Sequence, residues 1–199
     1  MTRQRILTAS ILIFGIILFC AFTVYTFRLE INKKQLPVIG QVQDFSLTNE
    51  KGEAYSLSNL KQKVWIANFF FTTCSDICPM MTKNMAALNR TFEGLKNIKL
   101  VSISVNPETD TVSVLEGYAR NHGARDNWVF LTGERQAITD LAVKSFKLGS
   151  VEEPVFHSAY FTLVDQNGLI RGYYEGTNKE ELNRLYEDAS FLIKHKPKI

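Results

Sequence analysis

Two cysteines, Cys74 and Cys78, are the residues of this chain best placed to do chemistry, and Pro79 follows the second of them at once. Residues 64–71 form an apolar, β-branched and aromatic run that predicts a strand buried on both faces. Pro79 suits the first turn of a helix, where its missing N–H leaves no hydrogen bond unmade. The cysteines are therefore predicted to lie in a strand-to-helix turn, and helix N-termini favour anionic sulfur.

Two thiols four positions apart can close a disulfide or share one soft metal ion, and either use requires a turn that points both sulfurs the same way. A purely structural disulfide is the alternative, but its loop would be very short, and short loops gain the least stability from a cross-link. A dedicated disulfide exchanger more often carries C-x-x-C. The extra residue between Cys74 and Cys78 therefore favours a metal site and leaves redox chemistry of the same pair open.

The three histidines differ in where the chain places them. His122 ends a predicted helix and His195 lies in a basic C-terminal tail, so a capping role and a solvated role are expected for them. His157 enters a predicted strand that would run beside the cysteine-bearing strand, which makes it the candidate third donor, with a structural role as the alternative. Two thiolates and one imidazole form a soft donor set that favours Cu(I), tolerates Cu(II) and would also take Zn(II).

Three further sulfur-containing residues have simpler interpretations. Met81 falls on the apolar face of the predicted helix and Met80 on its surface, so core packing and exposure are favoured over weak metal ligation. Cys20 lies in the apolar N-terminal run, and bulky Phe19 precedes it where a lipid-modified cysteine requires a small residue. We therefore assign Cys20 no role.

Apolar periodicity predicts alternating strands and helices over the rest of the chain. Residues 44–57 have the alternation and the central turn of a β-hairpin. The other predicted strands are 64–71, 99–105, 128–131, 156–165 and 169–174, and the predicted helices are 80–95, 109–122, 134–148 and 179–194. This order predicts an α/β, thioredoxin-like fold, in which helices flank a mixed sheet with an N-terminal β-hairpin.

The N-terminal segment is uncharged from residue 6 to residue 27, with Arg3 and Arg5 before it and Arg28 after it. Roughly 20 apolar residues span a bilayer, whereas a signal-peptide core has about 7 to 15 and ends in small residues, so a single uncleaved transmembrane helix is predicted. The predicted organisation is a membrane anchor over 1–29, a linker over 30–42 and one domain over 43–199.

Charge and cysteine usage bear on location and partners. The basic residues on the two sides of the predicted span do not decide its orientation. In an exported domain, a C-x-x-x-C pair has to be a disulfide, a metal site or a redox couple. The few residues before the span leave no room for an organelle transit peptide, so a bacterial inner-membrane protein is expected. The net charge of +3 is small and the basic residues are scattered, which argues against a nucleic-acid partner.

In these features the chain resembles the SCO/SenC family, the membrane-anchored, thioredoxin-like copper chaperones used in cytochrome c oxidase assembly. The resemblance covers most of the chain and includes the predicted anchor and a C-x-x-x-C-P motif with a distal histidine. The matching segments follow the family's order and are 44–47, 69–79, 102–108, 127–133, and His157 followed by 163–165.

The resemblance implies that Cys74, Cys78 and His157 are copper ligands and that the two cysteines also form a redox disulfide. Asp76 matches the acidic residue often found between the family's cysteines. Members have their domain outside the cytoplasm, here the periplasm, where they help load the CuA centre of oxidase subunit II by donating copper or by reducing that subunit's cysteines. Asn106 stands where the family usually has an aspartate, so the charge of that carboxylate is absent here.

Three classes of function follow from these residues. They are a copper metallochaperone, a thiol-disulfide reductase or peroxide-consuming enzyme on the same fold, and a redox or copper sensor that acts through a partner. The C-x-x-x-C spacing and His157 favour the metallochaperone over the enzyme. The expected partners are copper, a cuproenzyme such as cytochrome c oxidase subunit II, and the membrane.

Overall fold

The computed structural model describes residues 2–33, 35–149 and 159–195. The chain divides into two compact units, Met1–Leu36 and Pro37–Ile199. The first contains helix α1, Thr2–Lys33, and its large apolar side chains between Leu12 and Phe27 are exposed. Among the described residues, no helix has both the length and the apolar character needed to cross a membrane. The membrane anchor over 1–29 therefore stays a prediction.

The second unit is built on a mixed sheet with helices around it. Its described strands are β1 (Gly40–Gln41), β2 (Ser46–Asn49), β3 (Ala54–Ser56), β4 (Val64–Phe70), β5 (Ile98–Ser104), β6 (Trp128–Thr132), β7 (Tyr160–Val164) and β8 (Leu169–Glu175). Its described helices are α2 (Cys78–Thr91), α3 (Val112–Asn121), α4 (Arg135–Asp140) and α5 (Lys179–Lys194), with a 3₁₀ turn at Leu57–Leu60 and a π-helical turn at Leu141–Ser145.

The strands are ordered β1-β8-β7-β4-β5-β6-β2-β3 across the sheet. β4, β5 and β6 are parallel, and β4 pairs with β5 along its whole length, from Val64 opposite Ile98 to Phe70 opposite Ser104. β7 is antiparallel to β4 on its other side. The predicted mixed sheet, the N-terminal hairpin of β2 and β3, and α5 at 179–194 are confirmed.

Several element boundaries differ from those that periodicity predicts, and the predicted helix over 134–148 is observed as α4 followed by the π-helical turn. The helix expected from residue 109 begins at Val112, because the N–H groups of Thr109 and Asp110 both donate to the Asn106 carbonyl and close a turn before the helix. In the range predicted as a linker, α1 reaches Lys33 and β1 pairs with β8. The strand expected from residue 156 is described from Tyr160 onward, and 156–158 lie outside the described residues.

All seven residues of β4 are buried, because its side chains pack on both faces of the sheet. On one face Trp65 and Phe69 make edge-to-face contacts with Phe146, at ring-centroid distances of 5.8 and 5.2 Å. On the other face Phe70 contacts the rings of Tyr118 and Phe130, at 5.4 and 5.7 Å. Aromatic packing from both sides therefore fixes the strand that leads into the cysteines.

Gly176, directly after β8, allows α2 to approach the sheet closely. A Cβ at this position would collide with the Met81 thioether and lie 3.2 Å from Cζ of Phe161. The Gly176 N–H donates to the Ala159 carbonyl at 2.7 Å, and Asn84 of α2 donates its side-chain amide to the Gly176 carbonyl at 2.7 Å. Because Met81 lies one turn from Cys78, this contact helps to seat the beginning of α2.

We predict that Gly176→Ala lowers the free energy of unfolding by about 1 to 3 kcal/mol, the usual cost of overpacking a core. Met81 is 1 % exposed and has little room to move away from the added methyl group. Gly117→Ala is the matched control, because a Cβ there meets no atom within 4 Å in the interior of α3. It should raise the free energy of unfolding by about 0.5 to 1 kcal/mol. Urea denaturation measures both changes, and a Gly176→Ala variant as stable as the parent would contradict the close contact.

Candidate functional site

The two cysteines lie where sequence reasoning placed them, in the turn between β4 and α2. The Cys74 N–H donates to the Phe71 carbonyl at 3.3 Å and closes a tight turn directly after the strand. Cys78 is the first residue of α2, and Pro79 stands in the first helical turn as predicted. Both cysteines are free thiols, with Cys74 partly exposed and Cys78 only 2 % exposed.

The Cys74 sulfur lies over the N-terminus of α2. Burial raises the pKa of Cys74, but the hydrogen bond from the Cys78 side chain and those from the backbone N–H groups of Asp76, Cys78 and Ile77 lower it more, so the pKa lies below the ordinary thiol value. These N–H groups belong to the helix N-terminus, where they have no partner within the helix. The turn therefore favours an anionic sulfur at Cys74.

The Cys78 thiol has the opposite shift. Burial, followed by the hydrogen bond to Cys74 and the negative charges of Cys74 and Asp76, raises the pKa of Cys78 to about 12, although a backbone hydrogen bond from Phe71 opposes this change. The pair thus contains one accessible sulfur that ionises readily and one buried sulfur that keeps its proton. Cys78 donates that proton to Cys74 in the hydrogen bond between them.

Tyr118 of α3 forms one wall beside the thiols. Its hydroxyl lies 2.9 Å from the hydroxyl of Thr82, one turn along α2 from Cys78. Burial raises the pKa of Tyr118, the hydrogen bond with Thr82 opposes this rise, and the acidic groups of the neighbouring Cys78, Cys74 and Asp110 add to it. The phenol is therefore held neutral near the pair.

Asp110 is a residue of this region that sequence reasoning did not identify. Its carboxylate is fully buried and accepts hydrogen bonds from the Thr72 N–H at 3.0 Å, the Thr72 hydroxyl at 2.5 Å and the Ser104 hydroxyl at 2.6 Å. Thr72 lies two residues before Cys74, so Asp110 joins the cysteine turn to the loop after β5. An aspartate shortly after an apolar strand was the available signal, but nothing in the local pattern shows which distant residue it contacts.

Asn106, which stands where the related family usually has an aspartate, donates hydrogen bonds to residues close to it in the sequence. Its N–H donates to the Ser104 hydroxyl at 3.0 Å, and its side-chain amide donates to the Thr109 hydroxyl at 3.1 Å. A carboxylate could accept a hydrogen bond from the Thr109 hydroxyl at this position, so the amide preserves the contact while it removes the charge.

The other candidate residues are the histidines and two methionines, and the structure describes all of them except His157. His122 caps the C-terminus of α3, as predicted. His195 is exposed, as predicted, and in addition stands at the C-cap of α5. Met81 is buried and Met80 is 53 % exposed, again as predicted. His157 lies outside the described residues, and the described residues contain no group of three or more His, Cys, Asp or Glu side chains that could hold a metal ion.

The donor chemistry of the dithiol fits a soft metal ion. Thiolate is the form of cysteine that binds metal, and Cys74 is already biased toward it. The second sulfur is a close neighbour of the first, and a hydrogen bond from Cys78 is one of the causes that lower the pKa of Cys74. The same arrangement fits a redox couple, because one reactive thiol is paired with one thiol that can close the disulfide.

Fold and site together define a thioredoxin-like domain with a dithiol at a helix start, and comparison with known proteins identifies its family. Residues 34–188 match the SCO1/SenC family model. The SCO1 protein homolog of Bacillus subtilis (strain 168) is 35 % identical over an alignment of 160 positions, which covers 77 % of this chain and 83 % of the relative. The chain belongs to the SCO1/SenC family.

Two solved structures extend the likeness to three dimensions. BsSco, described as a member of the Sco family of cytochrome c oxidase assembly proteins with a disulfide switch, has a TM-score of 0.70 and 32 % identity and covers 82 % of this chain and 100 % of its own. Arabidopsis thaliana ScoI with copper bound has a TM-score of 0.61 and 27 % identity. The match covers 79 % of this chain and 99 % of the ScoI chain. The predicted thioredoxin-like fold is thereby confirmed.

We predict that limiting iodoacetamide at neutral pH alkylates Cys74 well before Cys78. The reason is that Cys74 is more exposed and its pKa is lowered, whereas Cys78 is buried and holds its proton to about pH 12. Peptide mass spectrometry of the reduced protein reads the order of modification, and denatured protein, in which both thiols become ordinary, is the control. Equal rates in the folded protein would contradict the asymmetry.

Proposed function

We propose that this chain is a copper metallochaperone that binds Cu(I) and Cu(II) through Cys74, Cys78 and His157 and assists assembly of the CuA centre of cytochrome c oxidase. The observation that carries the proposal is the pair of free thiols at the N-terminus of α2, with Cys74 biased toward thiolate. Thiolates are the ligands that Cu(I) prefers. Copper bound to a relative of the same family and fold supports this choice of metal.

We include His157 in the proposed copper site because of the position of β7, the strand that follows it in the sequence. β7 is antiparallel to β4, so β7 begins at the end of the sheet where β4 ends and the cysteine turn starts. β7 begins at Tyr160, three residues after His157 in the sequence, and three residues of chain span at most about 10 Å. An imidazole there would complete a donor set of two sulfurs and one nitrogen, which suits both copper states.

The partner that we propose is the CuA site of oxidase subunit II. BsSco is described as a member of a family of cytochrome c oxidase assembly proteins, and this chain belongs to that family. The family resemblance implies a recipient subunit that has cysteines of its own, so a donor with two thiols could pass copper by exchanging thiolate ligands one at a time. The partly exposed Cys74 would be the first sulfur that a recipient can reach.

The location that we propose is the bacterial inner membrane, with the domain on the periplasmic side. Its support is the charge-free run from residue 6 to residue 27, which has the length of a single membrane-spanning helix. The compact unit that holds the cysteines begins at Pro37, so the proposed anchor and the site are separate parts of the chain.

Thiol-disulfide reduction is the second candidate function, and the opposite pKa shifts of the two cysteines favour it. The Cys74 thiolate would attack a partner's disulfide and form a mixed disulfide, and one partner thiol would leave. Cys78 would then lose its proton, close the Cys74–Cys78 disulfide and release the second partner thiol, so that two electrons pass to the partner. Metal delivery and reduction use the same two sulfurs, so either can occur only while the pair is reduced.

We predict that the reduced protein binds one Cu(I) per chain and that the protein with a Cys74–Cys78 disulfide binds little, because a sulfur committed to a disulfide has no thiolate to offer. Copper analysis after gel filtration, with and without reductant, measures the stoichiometry. Cys74→Ser and Cys78→Ser should each lose tight binding, whereas Cys20→Ser, which changes a thiol outside the site, should retain it. Undiminished binding by the oxidised protein would show that these cysteines are not the ligands.

We predict that His157→Ala weakens Cu(II) binding by at least about tenfold more than Cu(I) binding. Two thiolates still hold Cu(I) at low coordination number, whereas Cu(II) requires nitrogen and more ligands. The sulfur-to-copper absorption band and a competition titration measure the two states, and the melting temperature should stay nearly unchanged. His195→Ala is the matched control, since this imidazole is exposed at the end of α5. A parent-like Cu(II) spectrum in His157→Ala would remove this residue from the site.

A further inference from the structure

We propose that Asp110 is a positioning residue that stabilises the reduced form of the Cys74–Cys78 pair by holding Thr72. This inference rests on the proposed function of the two cysteines as a dithiol and adds to it a residue that sets their redox balance. Asp110 is 0 % exposed and lies on a loop that is distant in the sequence from the cysteine turn.

Asp110 accepts two hydrogen bonds from Thr72, and we call this pair of contacts the clamp. One carboxylate oxygen accepts the Thr72 hydroxyl at 2.5 Å and the other accepts the Thr72 N–H at 3.0 Å. Side chain and backbone of Thr72 are therefore fixed together. Since hydrogen bonds to a carboxylate are about twice as strong as those between neutral groups, the clamp is a strong restraint on the turn that begins at Phe71.

Asp110 is itself held in place. Its N–H donates to the Asn106 carbonyl at 2.9 Å, and its carboxylate accepts the hydroxyl of Ser104 at the end of β5. Among the described residues, no lysine or arginine forms an ion pair with it, so the groups that compensate its burial are the hydroxyls and the N–H named above. Because a buried carboxylate with an unmade hydrogen bond is costly, Thr72 cannot move away without a penalty.

The clamped turn is the one that favours the dithiol. Cys74 follows Thr72 by two residues, and its N–H donates to the Phe71 carbonyl at 3.3 Å, so the turn that Asp110 holds also sets where Cys74 lies relative to Cys78 at the start of α2. The first N–H groups of a helix have no partner within the helix and interact more favourably with a thiol or thiolate than with a disulfide sulfur. A turn that is free to shift would lose part of this stabilisation, so the disulfide would become relatively more stable.

The test is the redox equilibrium with glutathione, in which the two protein thiols and oxidised glutathione give the protein disulfide and two molecules of reduced glutathione. Thr72→Val removes the hydroxyl and keeps the shape of the side chain. At a fixed glutathione ratio, it should raise the ratio of disulfide to dithiol protein by about tenfold, the factor that one hydrogen bond to a charged acceptor is worth. Trapping with a thiol reagent and mass spectrometry measure the ratio on the full chain.

Ser104→Ala is the matched control. It also removes one hydroxyl that donates to Asp110, but Ser104 lies on β5 and not on the cysteine turn. Ser104→Ala should lower the melting temperature about as much as Thr72→Val does. It should change the disulfide-to-dithiol ratio by less than about twofold, since it leaves both contacts between Asp110 and Thr72 in place. Asp110→Asn, which places an amide N–H₂ opposite hydroxyl or N–H donors, should shift the ratio at least as far as Thr72→Val if it folds.

Two results would overturn the inference: an unchanged redox ratio in folded Thr72→Val, or an equal shift in Ser104→Ala, which would show that any loss of stability moves the equilibrium. The measurement involves no copper. If the disulfide-to-dithiol ratio shifts in a chain that binds no copper, the role of Asp110 is retained and the metallochaperone proposal is rejected. If copper binding is normal and the ratio is unchanged, the metallochaperone proposal is retained and the role of Asp110 is rejected.

Discussion

The burial of β4 between β5 and β7 is the constraint on which the rest of the site depends. Every residue of this strand is buried, and its aromatic side chains pack against helical segments on both faces of the sheet. Fully burying one such side chain contributes about 1.5 to 3 kcal/mol, so the strand cannot shift along its neighbours without losing several contacts at once. The turn that carries Cys74 and Cys78 therefore starts from a fixed end.

The N-terminus of α2 gives two chemically identical side chains opposite pKa shifts. Cys74 receives the unpaired N–H groups of the first helical turn, whereas Cys78 is withdrawn into the protein and keeps its proton. One sulfur is thus prepared to react or to bind, and the other to complete the metal site or close the disulfide. The two shifts differ in sign because an anion gains from oriented N–H groups and loses from burial.

The loop after β5 brings polar groups to the same end of the sheet. Parallel strands present their carboxyl ends together, so residues after β4 and after β5 meet although they are far apart in sequence. In this chain the carboxylate at that meeting point belongs to Asp110, which faces inward to Thr72, while Asn106 uses its amide within its own turn. The loss of charge at position 106 is thus a local change, and the contact that holds the cysteine turn does not use that side chain.

Local pattern alone determined much of this protein. The apolar run of β4, the position of Pro79 and the spacing of the cysteines predicted a buried strand, a helix start and a dithiol between them, because strand burial and helix capping depend on residues close in sequence. The alternation of strands and helices likewise predicted the mixed sheet. Tertiary structure alone decided which sulfur is exposed, the opposite pKa shifts of the two thiols, and the contact of Asp110 with Thr72. Each of these depends on groups that approach through the pairing and packing of distant segments, and no local pattern of residue types records that approach.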